Sequence, residues 1–363
     1  MAITPRGPET ADYDLSMRLR PLDVAAKGVL AVLARLPEPA QLRIAGELQE
    51  VDGQTVHPEV GMALRLLHLR PGPTFESLPL DQGRRQLDTE AWVFGRRTRV
   101  GRVEELVIPT AAGPLPARRY DPHADRAGDA VLVYFHGGGW VLGGLESADT
   151  VCRYLTVRAG VTVVSVDYRL APEHPFPAAS DDALAAYRFV LDVAPSWGVP
   201  ADRVMVSGDS AGGTLTVVTA LRARDEGLPA PRLQVMFFPA ADAVNRRPSR
   251  EKYGTGYFLT SAQVDWYYER YLPNPADRGH PWVSPLLAPS LAAVGPCYVG
   301  VAGFDPLRDE GIALAQRLRA EGNEVTLDID ARHVHGYVNA TGVGRTSSAA
   351  LDRAVAAMRA ALR

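Results

Sequence analysis

The sequence predicts an α/β fold around a mostly parallel central sheet of about eight strands, with helices on both faces. Three observations predict it. From about Gly101 onward, short runs rich in β-branched residues alternate with longer segments of helical periodicity. Several of these runs are continuously apolar, which is typical of strands covered on both faces. The chain has 363 residues, 46% of them hydrophobic, which is enough for a large core and excludes disorder as the main state.

The strands are short runs bounded by Gly, Pro or polar residues. In chain order they are Glu105–Pro109, Ala117–Tyr120, Val131–Phe135, Val161–Val166, Val204–Ser207, Leu233–Phe238, Tyr298–Ala302 and Val325–Ile329. Helices between them are predicted at Asp181–Val193, Gly212–Ala223 and Leu307–Ala320, and a C-terminal helix begins near Thr346.

The first hundred residues have a different pattern. Apolar residues recur at helical spacing in Pro21–Leu36, Glu59–Leu69 and about Leu80–Val93. A second stretch without strand character, roughly 245–280, contains the aromatic sequence DWYYERYL. We expect residues 1–95 to form a helical cap, with 243–282 contributing to it, over an α/β domain of residues 96–363. Ordinary helices packed on the surface remain the alternative.

Composition excludes several classes of protein. The net charge of -3 lacks the basic excess of a nucleic-acid binder. Two cysteines, Cys152 and Cys297, cannot form a disulfide framework or a Cys-rich zinc site. The N-terminal residues MAITPRGPETADYDL lack a signal-like apolar run, and no apolar stretch reaches about 18 residues. We therefore expect a cytoplasmic protein without a membrane span, a nucleic-acid partner, a metal or a cofactor.

The strongest local motif is GDSAG at residues 208–212. It follows the strand RVMVS and precedes an apolar helix, which is the context of a G-x-S-x-G nucleophile turn. Ser210 on this turn would stand above the sheet end, beside the free N–H groups of a helix N-terminus. The alternative is a Gly-rich helix cap without chemistry.

A serine nucleophile needs a base, and the base needs an orienting carboxylate. His333 and His335 follow the last predicted strand, and His335 is favoured because Gly336 lets the loop turn tightly. Asp305 follows the strand CYVGVA and is favoured as the carboxylate, with capping of the next helix as its alternative role. Asp309 lies one helical turn further along.

The run HGGGW at residues 136–140 follows the strand VLVYF. Consecutive glycines allow backbone N–H groups to converge on one oxygen, so two of them together with the Ala211 N–H would hold an oxyanion. His136 is expected to orient this loop. No phosphate-loop or dinucleotide motif follows, so phosphate binding is not favoured.

These motifs resemble the hormone-sensitive-lipase-like branch of the α/β-hydrolases, the bacterial family IV carboxylesterases. The resemblance rests on HGGGW (136–140), DYRLAPEHPFPAA (167–179), GDSAGG (208–213), SPLLAP (284–289), GFDPLRDEG (303–311) and HVHGY (333–337). The aspartate directly before the serine, in the sequence GDSAG, resembles the subgroup of this family that carries GDSAG rather than GTSAG. Two features depart from the pattern: HGY replaces the more usual HGF, and the N-terminal region is longer.

The resemblance implies Ser210 as nucleophile, Asp305 as acid and His335 as base, without a cofactor. It also implies oxyanion donors at Gly138, Gly139 and Ala211, with Gly137 as a further candidate, and a cap from both helical segments. The expected reaction is hydrolysis of short- to medium-chain carboxylic esters. Candidates to line the substrate pocket are Trp140, Asp209, Tyr168, Tyr337, Trp266 and Tyr267, and for each aromatic taken separately packing in the core is the favoured alternative.

Three other functions remain open at this stage: a lipase, an amide hydrolase on the same triad, and a non-catalytic receptor for a small ligand. The receptor is disfavoured because the base His335 is present. The expected partner is a small ester, and a homodimer pairing through the last strand is the candidate assembly.

Overall fold

The computed structural model describes residues 19–69, 72–123 and 129–363. The prediction about a signal sequence falls on the first fifteen residues, which lie outside these ranges. One sheet of eight strands organises the chain. The strands are β1 Arg102–Thr110, β2 Gly113–Asp121, β3 Val131–Phe135, β4 Thr162–Val166, β5 Val204–Asp209, β6 Gln234–Phe237, β7 Cys297–Phe304 and β8 Val325–Val334.

Their spatial order is β1-β2-β4-β3-β5-β6-β7-β8. β2 runs antiparallel to β1 and β4, and all other neighbours are parallel. The predicted mostly parallel sheet is therefore confirmed. β8 continues to Val334, beyond the predicted end at Ile329, and its pairing with β7 is irregular opposite Ala302 and Phe304.

Eleven α-helices are present in the described part of the chain. They are α1 Pro21–Leu33, α2 Glu38–Ala45, α3 Pro58–Leu69, α4 Leu80–Phe94, α5 Leu145–Leu155, α6 Ala178–Val193, α7 Ala211–Asp225, α8 Pro248–Lys252, α9 Ser261–Tyr271, α10 Arg308–Ala320 and α11 Thr346–Ala361. The helices predicted from periodicity match α1, α3, α4, α6, α7, α10 and α11. No predicted helix covers α2 or α5.

The sheet is buried on both faces. Along β3, Val131, Val133 and Phe135 join the hydrophobic cluster that α6 and α7 complete. Leu132 and Tyr134 point to the opposite face, into the cluster that α5 and α11 complete. Because successive side chains of a strand alternate between faces, this double burial explains the continuously apolar strand sequences.

The N-terminal helices meet the segment between β6 and β7 above the sheet. Phe75 stacks on Tyr267 of α9 with ring centroids 5.4 Å apart. Gln263 Nε2 donates to Glu76 Oε2 at 3.1 Å, and Tyr253 OH donates to Asp52 Oδ2 at 3.1 Å. Aromatic packing and side-chain hydrogen bonds thus join two segments that are far apart in sequence.

Among the described residues, no helix has the length and apolar content that crossing a membrane requires. Cys152 and Cys297 are both buried and free. Burial raises the pKa of each thiol, to about 12 at Cys297. Both side chains therefore act as small buried hydrophobic groups rather than as reactive thiolates.

Candidate active site

Ser210 lies on the sharp turn between β5 and α7. Its φ of 55° is in the left-handed region, which a non-glycine residue adopts at a cost, and its N–H donates to Phe237 O at 2.9 Å. Gly212 makes this turn possible, because a Cβ there would collide with the Phe135 carbonyl at the end of β3. The glycines of the motif therefore let α7 start directly against the sheet.

His335 connects Ser210 to a buried carboxylate. Its Nε2 lies 3.0 Å from Ser210 Oγ, and its Nδ1 lies 2.8 Å from Asp305 Oδ2. Since an ionised carboxylate can only accept, Nδ1–H donates to Asp305 and Nε2 is left to accept from the serine hydroxyl. The order of bonds is that of a nucleophile, a base and an orienting acid.

Asp305 is fully buried and is fixed from its other side as well. The Leu307 N–H donates to its Oδ1 at 2.8 Å, next to the start of α10. Asp305 therefore makes both hydrogen bonds at once: it caps the chain that enters α10 and it accepts from His335. Asp309 is engaged elsewhere, since its Oδ2 accepts from the Ser249 N–H at 2.9 Å.

His333 is not in the hydrogen-bond chain with Ser210. Neither of its ring nitrogens has a hydrogen-bond partner, and its ring packs 5.1 Å from that of Tyr337. The geometry therefore favours His335 as the base. Phe238, which the sequence did not single out, packs against His335 with ring centroids 4.5 Å apart.

The glycine loop after β3 forms a tight turn beside Ser210. Gly138 O accepts from the N–H groups of Val141 at 3.1 Å and Leu142 at 2.9 Å. Gly139 has a φ of 60°, and a Cβ at this position would collide with the Tyr267 ring. Glycine is therefore required here for conformation and for space.

Gly137 and Asp209 are hydrogen bonded to each other at the glycine loop. The Gly137 N–H donates to Asp209 Oδ1 at 3.0 Å, so it is already engaged and is removed from the set of oxyanion donors. Asp209 Oδ1 also accepts from Tyr134 OH at 2.7 Å. Burial raises the pKa of the Asp209 carboxyl. Although Asp209 borders the cleft, its bonds indicate that it anchors the glycine loop.

His136 and Tyr168 support the same loop. Their rings stack at 4.2 Å with an interplanar angle of 10°, and Tyr168 OH donates to His136 O at 2.8 Å. Burial lowers the pKa of His136 to about 4, so its imidazole is neutral near pH 7. Tyr168 is occupied within the core, and its predicted place in the pocket wall is corrected.

A cleft of about 1800 Å³ opens over Ser210. Trp140 lines it and stacks on Tyr271 at 4.5 Å, and Tyr267 lines it above Gly139. Tyr337 borders the cleft but is almost completely buried. Trp266 packs instead between Phe75 and Arg270, so its predicted place in the lining is corrected.

The cleft continues from the serine toward the N-terminal helices. Leu22, Val29 and Leu30 of α1 and Leu67 of α3 contribute to its distant part. The sequence predicts that these apolar residues lie on helices, but it does not predict that they line the cleft. Leu30 is buried, whereas Leu22 and Val29 are largely exposed, and helical periodicity alone does not show which side chains border a cavity.

Comparisons with known proteins agree with this geometry. A family model described as alpha/beta hydrolase fold matches residues 132–339. The carboxylic ester hydrolase LipN of Mycobacterium tuberculosis is 39% identical over 91% of this chain and 90% of its own length. Ethyl acetate hydrolase of Pseudomonas putida is 41% identical over 72% of this chain and 84% of its own length.

Solved structures that are similar to this chain include an alpha/beta hydrolase and a carboxylesterase. A serine-to-alanine mutant of LAE6, an alpha/beta hydrolase enzyme from the metagenome of Lake Arreo, is 37% identical with a TM-score of 0.79, covering 84% of this chain and 98% of its own. EstE1, a thermostable carboxylesterase from a metagenomic library, is 34% identical with a TM-score of 0.76, covering 79% and 99%.

Proposed function

Because this chain belongs to the α/β-hydrolase family, and within it to the hormone-sensitive-lipase-like branch, we propose that it hydrolyses carboxylic esters through Ser210, His335 and Asp305. The observation that carries the proposal is the continuous pair of hydrogen bonds from Ser210 Oγ through His335 to Asp305. The esterases and carboxylic ester hydrolases similar to it support the same reaction.

In the first half of the reaction, Ser210 Oγ attacks the ester carbonyl carbon while His335 Nε2 takes the hydroxyl proton. Asp305 stabilises the imidazolium through the Nδ1–H bond. The N–H groups of Gly138, Gly139 and Ala211 hold the developing oxyanion, which is usually the largest single contribution to catalysis. Nε2 then gives its proton to the leaving alcohol, and an acyl-enzyme remains.

Water completes the cycle. It attacks the acyl carbonyl while His335 Nε2 takes one of its protons, and the same N–H groups hold the second oxyanion. Collapse of this intermediate returns the proton to Ser210 Oγ and releases the carboxylic acid. The base is used twice, so both half-reactions depend on His335.

The preferred substrates are esters of short to medium chain length. Trp140 and Tyr267 line the cleft together with Ser210, and its apolar continuation toward α1 gives an acyl chain further surface to contact. Each methylene group buried there contributes about 0.8 kcal/mol of binding free energy. Residues 1–95 and 243–282 act as the cap, since both segments supply lining residues. A cytoplasmic location and a homodimer paired through β8, an edge strand of the sheet, complete the proposal.

The experiment is hydrolysis of p-nitrophenyl esters from acetyl to palmitoyl by the wild type, Ser210→Ala and Ser196→Ala. Ser196 is an exposed serine in the short turn after α6 and serves as the matched control. We expect the rate to peak at a short or medium chain and to fall about 10⁴-fold or more in Ser210→Ala. Ser196→Ala should retain wild-type activity.

Equal activity in the wild type and Ser210→Ala would contradict the assignment of the nucleophile. Absence of activity across the whole ester series would contradict the proposed reaction, and amide substrates or ligand binding would be tested next. A peak at palmitoyl would instead favour a lipase.

A further inference from the structure

Two histidines and an aspartate lie together near the end of β8, outside the hydrogen-bond chain of the triad. His57 Nε2 is 3.4 Å from Asp330 Oδ1. One potential ligand atom from each of His57, Asp330 and His333 lies within 4.8 Å of the others. His57 immediately precedes α3, so the N-terminal region contributes one residue and β8 contributes two.

An irregularity in the pairing of β8 with β7 brings the side chains of Asp330 and His333 to the same side of the strand. Ala302 of β7 pairs with Asp330, but Phe304 pairs with Val334, so two steps along β7 correspond to four along β8. In a regular strand, residues three apart point to opposite faces. Extra residues in one strand form a bulge and redirect side chains, and Gly303 leaves the space that the Ala331 backbone occupies.

An ion pair between His57 and Asp330 does not explain why His333 is buried next to them without a hydrogen bond. Its side chain is 1% exposed, and neither of its ring nitrogens has a hydrogen-bond partner. A buried polar group without a partner is costly and rare in a folded protein. An imidazole nitrogen that makes no hydrogen bond has a lone pair to offer a metal ion.

We propose that His57, Asp330 and His333 bind a divalent transition-metal cation of the Zn²⁺ type. Two imidazole nitrogens and one carboxylate oxygen suit such a cation, with water in the remaining position. Bonds of about 2.0–2.1 Å place tetrahedral ligand atoms about 3.3 Å apart, close to the separation of His57 Nε2 and Asp330 Oδ1. His333 closes the site by a small movement of its ring.

The surroundings of Asp330 fit a ligand role. Arg353 Nη2 donates to its Oδ2 at 3.0 Å, which orients the carboxylate, and its Oδ1 faces His57 and also accepts from the Arg332 N–H at 3.4 Å. Such outer hydrogen bonds commonly position metal-binding carboxylates. His57 and Asp330 are 21% and 11% exposed in their side chains, and His333 borders the cleft, so a cation has a route from solvent.

The cation would strengthen a connection that the backbone already makes. His57 N–H donates to Arg332 O at 3.0 Å, and Arg332 Nε donates to Thr55 O at 3.0 Å. This contact joins the N-terminal region to the strand that ends just before His335. The bound cation is therefore structural: it holds the cap region on the strand that carries the base, and it takes no part in ester hydrolysis.

The test uses the purified full chain, freed of metal by a chelator and titrated with Zn²⁺ alone. Calorimetry should show about one tight site per chain, and the thermal midpoint should rise with Zn²⁺ because the ion binds the folded state. His57→Gln should bind at least about tenfold more weakly and lose the thermal response. His68→Gln, which removes an exposed histidine from α3, is the matched control and should behave as the wild type.

A second variant, Asp330→Asn, and the visible absorption of bound Co²⁺ test the location of the site in two further ways. Asp330→Asn keeps an oxygen facing His57 but loses the charge, so it should weaken Zn²⁺ binding. Co²⁺ should give a visible d–d spectrum in the wild type that is lost in His57→Gln. Should Asp330→Asn fail to fold because Arg353 loses one of its two carboxylate partners, His57→Gln still decides, since the backbone hydrogen bond of residue 57 remains.

Two results would overturn the proposal. One is the absence of Zn²⁺ binding by the wild type at micromolar to submillimolar concentration. The other is Zn²⁺ affinity that is unchanged in both His57→Gln and Asp330→Asn, which would place the ion elsewhere, for example on the triad histidine. Neither readout depends on ester hydrolysis, so these outcomes are independent of the proposed function.

Discussion

The Gly139 backbone turns at φ 60° directly beneath the Tyr267 ring, and this one residue couples the glycine loop to α9. We predict that Gly139→Ala lowers kcat about 10²-fold, because the new methyl group must displace either the loop or the ring and so misplaces an oxyanion donor. The left-handed conformation itself costs alanine about 1 kcal/mol, so the fold should survive. Kinetics on p-nitrophenyl acetate and circular dichroism measure the two effects.

The control for this substitution is Gly28→Ala in α1. Gly28 has no atom near its missing Cβ and no left-handed φ, so alanine should leave activity unchanged. Wild-type kcat in Gly139→Ala would show that the loop tolerates the displacement and would remove Gly139 from the proposed donors. A rise in KM alone would assign the effect to substrate binding by Tyr267.

Residues whose roles depend on their immediate sequence could be predicted, and residues whose roles depend on distant partners could not. Ser210 was identified because a strand, a tight turn and a helix follow one another locally. Tyr168 was placed in the pocket because its partner His136, 32 residues earlier in the chain, is not apparent from the sequence. For Trp266, the deciding contact is with Phe75 in the N-terminal region.

At the scale of elements, α4 packs on α5 with a buried carboxyl group, that of Asp88, at the contact. Asp88 of α4 has a buried Oδ1 without a hydrogen-bond partner. Burial, together with the negative charges of Glu146 and Asp167, raises the pKa of Asp88 to about 7. In the unfolded chain the pKa returns to about 3.9, so folding favours the protonated form.

We therefore predict that Asp88 makes stability decrease as pH rises. A raised folded-state pKa contributes stability that is fully present below about pH 4 and is lost as pH rises through about 7. Asp88→Asn cannot ionise, so between pH 5 and 8 its free energy of unfolding should fall less than that of the wild type, by on the order of 1–3 kcal/mol. Urea unfolding at both pH values measures the difference.

The matched control is Asp81→Asn in the same helix. Asp81 is exposed and pairs with Arg85 at 2.6 Å, so its loss should not change how stability depends on pH between 5 and 8. Identical pH profiles for the wild type and Asp88→Asn would show that this carboxyl is ionised in the folded protein at pH 5 and would contradict the prediction.

Helix α5 shows why some elements were missed. Its sequence LESADTVCRYL buries Ser147, Asp149 and Arg153, which satisfy one another or nearby groups through hydrogen bonds. Because polar and apolar side chains of this helix are both buried, its sequence is too polar to be recognised as a buried helix between strands. The irregularity of β8 was equally hidden, because it depends on its pairing with β7.

At the scale of the whole molecule, the parallel sheet brings the site together. β3, β5, β7 and β8 are parallel, so the residues that follow them meet at one edge, where the glycine loop, Ser210, Asp305 and His335 lie. The sheet therefore determines the relative positions of the proposed catalytic residues. The extent of the cleft is a property of the N-terminal helices and α9, which lie outside it.

This division predicts the effect of removing residues 1–36, which contain α1. No residue of α1 belongs to the hydrophobic clusters on the two sheet faces, although Lys27 Nζ donates to Trp92 O of α4 at 2.5 Å. The truncated chain should therefore fold and hydrolyse p-nitrophenyl acetate within about threefold of the wild-type kcat/KM. Losing contact with about two methylene groups, at about 0.8 kcal/mol each, should lower kcat/KM for the octanoyl ester by about tenfold or more. An equal loss for both esters would instead show that α1 supports the catalytic residues, and the cap would then have to be redefined without it.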